Sequence, residues 1–240
     1  MSATPRRRPT GRKKDPAAGS GFAAEAAHEL RTPLSAIKIL AQAALLARDE
    51  SDRRAALEAL IEAVDRAART TEQILTLSRV EALPTSLRGA ARIRLDAIAG
   101  RLIGNLALLP GRPGERIEAR LAPCEIVGVE FAVGALLRNL VENAIRHAGD
   151  GAPVRVTVVA EPDAMCAIVE DGGPGIPPAE RERVFERFQR SGEDRPGWGI
   201  GLAIVRRVAQ AHHARVELDR SELGGLRVRV RFPKVGAPAP

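Results

Sequence analysis

His28-Glu29-Leu30-Arg31-Thr32-Pro33-Leu34 lies in an Ala-rich stretch, residues 21–48, with apolar positions at Phe22, Leu30, Leu34, Ile37, Leu40 and Leu45. Most of these spacings are three or four, the period of one helix face, which predicts an amphipathic helix. His28 precedes Leu30 by two residues, a rotation of about 200° at 3.6 residues per turn, so its imidazole is expected to face solvent. Pro33 removes a backbone donor and is expected to bend the helix one turn beyond His28. A turn at 49–52 follows, with Ser51 as the expected cap. A second helix is predicted from Arg53 to Ala82 on the stripe Leu57, Leu60, Ile61, Val64, Ala67, Ala68, Thr71, Ile74, Leu75 and Ser78. A two-helix hairpin buries little by itself. Pairing two copies into a four-helix bundle removes that deficit, so the chain is expected to be a homodimer.

At Pro84 the pattern changes to alternating strands and helices. Strands are predicted at 91–95, 116–121, 124–127, 154–160, 164–170, 215–220 and 226–232. Helices are predicted at 96–109 and 130–147, with shorter ones at Pro178–Phe188 and Ile200–Ala211. This mixture predicts an α+β sandwich after the hairpin. The expected division is a basic tail at 1–20, the helical module at 21–84, the sandwich at 85–236 and a short C-terminal tail at 237–240. A chain of 240 residues suits two such modules.

Most of the formal charge of +7 sits in the first 21 residues, where Arg6, Arg7, Arg8, Arg12, Lys13 and Lys14 face Asp15 alone. With its Pro and Gly content this segment reads as a disordered, solvated tail. Nucleic-acid binding through it is the alternative, but no nucleic-acid partner is expected. Cys124 and Cys166 form no Cys-x-x-Cys pair and suggest neither zinc nor a disulfide framework. No stretch approaches the ~20 apolar residues of a membrane span, and no signal-type segment opens the chain, so a cytoplasmic setting is expected.

Three segments carry candidate chemistry. In the 130–147 helix, Asn139 and Asn143 are four apart and share a face that Arg146 and His147 continue. Amide oxygens are hard ligands suited to Mg²⁺, and Arg146 could add charge to a phosphate. Alone, two solvent-facing asparagines explain the pattern as well. Asp171-Gly172-Gly173-Pro174-Gly175 follows a strand, and its glycines let a flat ring approach the backbone. Asp171 could accept a hydrogen bond from the adenine amino group, whereas guanine would oppose it acceptor to acceptor. An ordinary turn is the plainer alternative. Gly197-Trp198-Gly199-Ile200-Gly201 opens a helix whose unpaired N–H groups could face phosphates, though such a motif is weak by itself. The polar stretch from Ser191 to Pro196 could serve as a lid. His28 is followed by Glu29, which could hold the neutral tautomer needed for attack. His212 and His213 have no carboxylate or Cys partner at ligand spacing and are expected at the surface.

In this order the segments resemble the sensor histidine kinases of two-component signalling, over roughly residues 21–235. The stretch from Phe22 to Leu34 is similar to the family's phosphoacceptor box, and Leu137–His147 to its asparagine box. Asp171–Pro177 and Gly197–Val205 look like the two glycine boxes, with Val184–Phe188 between them as the phenylalanine box. The resemblance implies a dimerisation and phosphotransfer bundle joined to a Bergerat-type ATP-binding domain. It implies His28 as the phosphorylated residue and Glu29 as base or acceptor. Glu29 with Thr32 would support phosphatase activity on a response regulator. Asn143 would hold Mg²⁺ with Asn139 nearby, Asp171 would read adenine, and Gly173, Gly175, Gly197, Gly199 and Gly201 would shape the ATP pocket. The implied partner is a response-regulator receiver domain. No sensor or transmembrane module precedes His28, so the expectation is either that the chain is the cytoplasmic part of a longer membrane-bound sensor or that the kinase takes its signal from an upstream sensor protein. The chain departs from the family at Trp198, where a small polar residue is common, and at His212-His213-Ala214, which replaces a common His-Gly-Gly. The short lid between Phe188 and Gly197 is a third departure. A non-catalytic dimeric nucleotide-binding scaffold, degenerate at Trp198, is the rival reading.

Overall fold

The three- and four-residue spacing does form two long helices. A computed structural model describes residues 16–83, 90–109, 113–149, 151–187 and 199–234, without the side chains of residues 16–24 and of Glu29. The expected basic tail and C-terminal tail fall almost wholly outside the described residues. Helix α1 spans Pro16–Leu46 and continues through Pro33, and α2 spans Glu50–Glu81. By their contacts the residues group into two units, Met1–Thr71 and Glu72–Pro240, a division that falls inside α2 and upstream of the composition change at Pro84.

In the first unit the buried positions are small: Ala26, Pro33 and Ala44 on α1, Ala63 and Thr70 on α2. The apolar stripe predicted for α2 is only partly covered within the single chain. Leu60 and Ala67 are half-buried, but Leu57 (44%), Ile61 (63%) and Val64 (46%) remain exposed in the single chain. Small residues allow close approach of backbones, while the bulky ones form an adjacent stripe that faces outward. The expected Ser51 cap is also replaced. Asp49 precedes the first helical residue, and its Oδ1 accepts from the Asp52 N–H at 2.8 Å.

In the second unit, β1 (Ala91–Arg94) leads into α3 (Leu95–Ala107), then β2 (Ile117–Leu121) and β3 (Glu125–Gly128). Helix α4 (Glu130–His147), β4 (Val154–Ala160) and β5 (Ala164–Asp171) follow, and α5 (Gly201–Ala211), β6 (Arg215–Arg220) and β7 (Leu226–Pro233) complete the order. Strands β1 and β3 pair antiparallel, and the main sheet runs β2-β4-β5-β7-β6, parallel between β2 and β4 and antiparallel elsewhere. Strand burial alternates as period two requires: Val154, Val156 and Val158 are buried beside half-buried Arg155 and Thr157. Helices α3 and α5 flank α4, which packs on β4 and β5, so the long central helix is held on three sides. Its Leu136, Leu137, Leu140 and Val141 fill the core with Ile204, Val205 and Val208 of α5. Both cysteines are free and buried, and burial beside the Glu161 carboxylate pushes the Cys166 thiol up to about 12.

One predicted helix is absent. In place of the helix expected over 178–188, the described residues 178–187 hold two short 3-10 turns, Pro178–Glu180 and Arg183–Phe185. Between them the Arg181 guanidinium donates to the carbonyls of Leu218 (2.8 Å) and Ile176 (3.4 Å), which draws the segment onto β6 and overrides its helical composition.

His212 is not a surface residue. It is 2% exposed, and its Nε2 accepts the Val129 N–H at 3.0 Å while Nδ1–H donates to the Val208 carbonyl at 2.8 Å. The ring thus ties the end of α5 to the residue before α4. Burial lowers its pKa, so the folded state favours the neutral ring. The unfolded chain then binds more protons, and this contribution to stability is complete above the ordinary histidine value and fades as pH falls below about 6.5. Thermal melts between pH 5 and 8 should show that slope in the native protein and a flatter one in His212→Gln. Equal slopes would show that another group governs the acid limb.

His213 is exposed as expected, but its φ is +52°. The Ala214 N–H reaches back to the Ala209 carbonyl at 2.8 Å, closing α5 with a left-handed residue at the position where glycine is favoured. His213→Gly should therefore stabilise the protein by about 0.5–1 kcal/mol, the left-handed strain outweighing the added freedom of the unfolded chain. Urea unfolding reads this directly, and a lower midpoint would refute the strain.

Candidate nucleotide site and phosphoacceptor helix

Asn139 and Asn143 lie one turn apart on α4, as their spacing requires. Asn139 is 8% exposed, and its Nδ2 donates to the Ala135 carbonyl at 2.8 Å, which orients Oδ1 toward the start of α5. A Cβ on Gly201, the first residue of α5, would stand 3.0 Å from that oxygen. Asn143 is half-buried and its amide makes no hydrogen bond with the described residues, so its oxygen is available to a cation. Arg146 is exposed one turn further on. At the end of α4, the His147 carbonyl lies 2.2 Å from where a Cβ on Gly173 would be. The helix therefore meets both glycine segments, one at Asn139 and the other at His147, about 12 Å apart along its axis at 1.5 Å per residue.

Asp171 closes β5 and is 5% exposed. Its Oδ1 accepts the N–H of Gly173 at 2.9 Å and of Leu226 at 3.1 Å, while Oδ2 accepts no hydrogen bond among the described residues. One oxygen is thus structural and the other remains for a ligand. Gly175 (φ +72°) and Gly199 (φ +65°) adopt the left-handed region that glycine reaches without strain. Among the described residues no side chain caps the N-terminus of helix α5. Gly197, Trp198, Phe188 and the Ser191–Pro196 stretch lie outside the described residues.

Gly225 was not marked by any motif. Its N–H donates to the Asp171 carbonyl at 3.1 Å, and a Cβ there would stand 2.1 Å from Asp171 Oδ1. The Gly224-Gly225 pair between two strands was the available signal, and it reads as an ordinary turn. At Gly173 a methyl group would meet backbone, which cannot yield cheaply. Gly173→Ala should cost about 2 kcal/mol of stability and weaken nucleotide binding, as overpacking typically does. Thermal melts with and without ATP check this, and an unchanged melting temperature would show that the turn adapts.

In the first unit His28 is exposed on α1, between buried Ala26 and half-buried Leu30. Its imidazole faces solvent as its spacing implied. Thr32 is exposed one turn later on the same face. The side chain of Glu29 lies outside the described residues. No helix among the described residues is long and apolar enough to cross a membrane.

Residues 20–83 match the family model of the His Kinase A (phospho-acceptor) domain, and residues 128–236 that of the histidine kinase-, DNA gyrase B- and HSP90-like ATPases. The chain is 36% identical over 217 residues to the sensor protein QseC of Escherichia coli (strain K12), covering 88% of this chain and 47% of QseC. It therefore spans about half the length of the curated relatives it matches. Among solved structures, the mycobacterial sensor histidine kinase MprB matches with a TM-score of 0.53 at 28% identity, over 60% of this chain and 97% of that one. The Acinetobacter baumannii histidine kinase AdeS shares the fold with a TM-score of 0.63 at 20% identity, over 86% of this chain and 97% of its own. With an outward histidine on the first helix, an asparagine helix meeting two glycine turns, and both family models matched in that order, the chain belongs to the sensor histidine kinases.

Proposed function

We propose that the protein binds ATP along α4, transfers its γ-phosphoryl group to His28, and passes that group to an aspartate of a response-regulator receiver domain. The observation that carries the reading is the divided role of Asp171: Oδ1 holds the turn, and Oδ2 is left to accept the adenine amino group. The uncapped start of α5 offers N–H groups to the phosphates. Neutral amide oxygens suit Mg²⁺, which shares its shell with water and phosphate, and Asn143 is the residue that would hold it, with Asn139 beside it. Bound there, Mg²⁺ would offset charge on the phosphates. Arg146, exposed on the same face, would add to that field.

Transfer of this kind depends on positioning and charge compensation. A lone pair of the neutral His28 imidazole attacks the γ-phosphorus, the P–O bond to ADP breaks, and Glu29 takes the proton from the other ring nitrogen. Thr32, with Glu29, would orient water for hydrolysis of the regulator's phosphoaspartate. The exposed stripe Leu57, Ile61 and Val64, at spacings of four and three, fits a second copy of the hairpin and a homodimer. A cytoplasmic setting completes the reading.

The test is a relay. The protein is incubated with γ-labelled ATP and Mg²⁺, candidate receiver domains are added, and the label is followed. Acid-labile, base-stable label on the protein that moves to a receiver is expected. Nucleotide binding without any labelling would reject transfer and favour the scaffold.

A further inference from the structure

Successive residues of a strand take opposite faces of the sheet, so Glu170 stands back to back with Asp171 on β5. Glu170 is 5% exposed. Its register partners on either side are Arg155 on β4 and Arg227 on β7. Its Oε2 lies 3.8 Å from Arg155 Nη1, and its Oε1 lies 3.9 Å from Arg227 Nε. Neither Glu170 Oε1 nor Arg227 Nε has a hydrogen-bond partner among the described residues. A carboxylate this deep is costly unless opposite charges hold it, so the three side chains depend on one another's placement.

The Glu170–Arg227 rung ends the β5–β7 ladder. Directly beyond it the Leu226 N–H reaches Asp171 Oδ1 and the Gly225 N–H reaches the Asp171 carbonyl, at 3.1 Å each. Arg155 Nη1 also stands 3.5 Å from Glu222 Oε2, in the turn between β6 and β7 that carries Gly225. The turn backing Asp171 is thus tied twice to one buried carboxylate, through Arg227 and through Arg155. We infer that Glu170 is a positioning residue for base recognition: from the far face of β5 it fixes the Asp171 carboxylate and so sets the preference for ATP over GTP. The inference rests on the reading of Asp171 as the adenine acceptor. Removing the Glu170 charge has two effects of opposite sign. Through space, loss of a negative charge favours any triphosphate, whichever base it carries. Through position, the loss weakens ATP, while GTP, which gains no bond from Asp171, stays nearly unchanged.

Titration of the full chain with ATP and GTP, beside hydrogen exchange at the Gly225 and Leu226 amides, separates these effects. Glu170→Gln keeps the side-chain shape. It should weaken ATP binding about tenfold, leave GTP within about twofold, and speed exchange of both amides about tenfold. Arg227→Gln should do the same, and the double variant should be no worse than either alone, because both changes break one network. Arg227→Lys keeps the charge of a pair that has no hydrogen bond, and should restore most of the ATP preference. Ile168→Val, a buried change on the same face two residues earlier, should lower the melting temperature with the ATP to GTP ratio unchanged. A ratio unchanged in Glu170→Gln, or one that falls equally in Ile168→Val, would overturn the inference, as would tighter binding of both nucleotides. If the native protein binds neither nucleotide, the kinase reading fails, and the exchange rates at 225 and 226 still decide whether Glu170 positions Asp171.

Discussion

His28→Gln should abolish labelling by γ-labelled ATP, to at least about 10³-fold below the native rate, while leaving ATP affinity unchanged. The side chain is exposed on α1, so its replacement removes no buried contact, and glutamine is a good helix former. The fold of the first unit is therefore preserved. The residues proposed for the nucleotide site, Asn139, Asn143, Asp171 and the start of α5, all belong to the second unit, so binding is not expected to change. What the variant lacks is a nitrogen lone pair able to attack phosphorus, since an amide nitrogen is delocalised into its carbonyl. Autoradiography beside a fluorescent-nucleotide titration separates the two effects. Acid-labile label persisting in the variant would move the acceptor elsewhere. Loss of binding together with labelling would show that the substitution damaged more than the nucleophile.

The outward placement of His28 was legible because helix period alone decides it: two residues before Leu30 is nearly the opposite side. The same arithmetic placed Asn139 and Asn143 one turn apart, and alternation is visible in β4, whereas β5 is buried almost throughout. His212 shows where the reading went astray. It was judged by its lack of metal-ligand partners, although Ile204, Val208 and His212 recur every four residues and share the buried face of α5. Its role depends on the Val129 N–H, far away in sequence, and no local pattern encodes that bond. The 178–188 segment failed for a related reason. Its composition favours a helix, but Arg181 finds the Leu218 carbonyl on β6, and a long-range bond outranks weak local propensity. In α2 the period is legible, and one chain by itself covers only part of the stripe. Small Ala63 and Thr70 take the buried line, and the large apolar residues chosen from sequence stand beside it, open to a partner. Hydrophobicity identifies what must be covered, but one chain does not reveal whether its own helix or a second copy covers it.

Asp171→Asn should weaken ATP binding by about 10²–10⁴-fold and narrow the preference for ATP over GTP, because a site built around one hydrogen bond discriminates strongly when that bond is reversed. The substitution is nearly isosteric. An asparagine Oδ1 can still accept the N–H groups of Gly173 and Leu226, at 2.9 and 3.1 Å in the native protein, so the turn should survive. Gly225, whose missing Cβ leaves room beside that oxygen, needs no adjustment. The change falls on the second polar atom, where an acceptor becomes an NH₂ donor. Facing the adenine amino group, it sets donor against donor in a largely buried place, where an unpaired polar group is costly. Facing guanine, the same donor meets a carbonyl. Titration of the native protein and the variant with both nucleotides, alongside a thermal melt, reads the base contact apart from the fold. Equal losses for ATP and GTP at an unchanged melting temperature would show that Asp171 contributes charge or turn geometry and does not read the base.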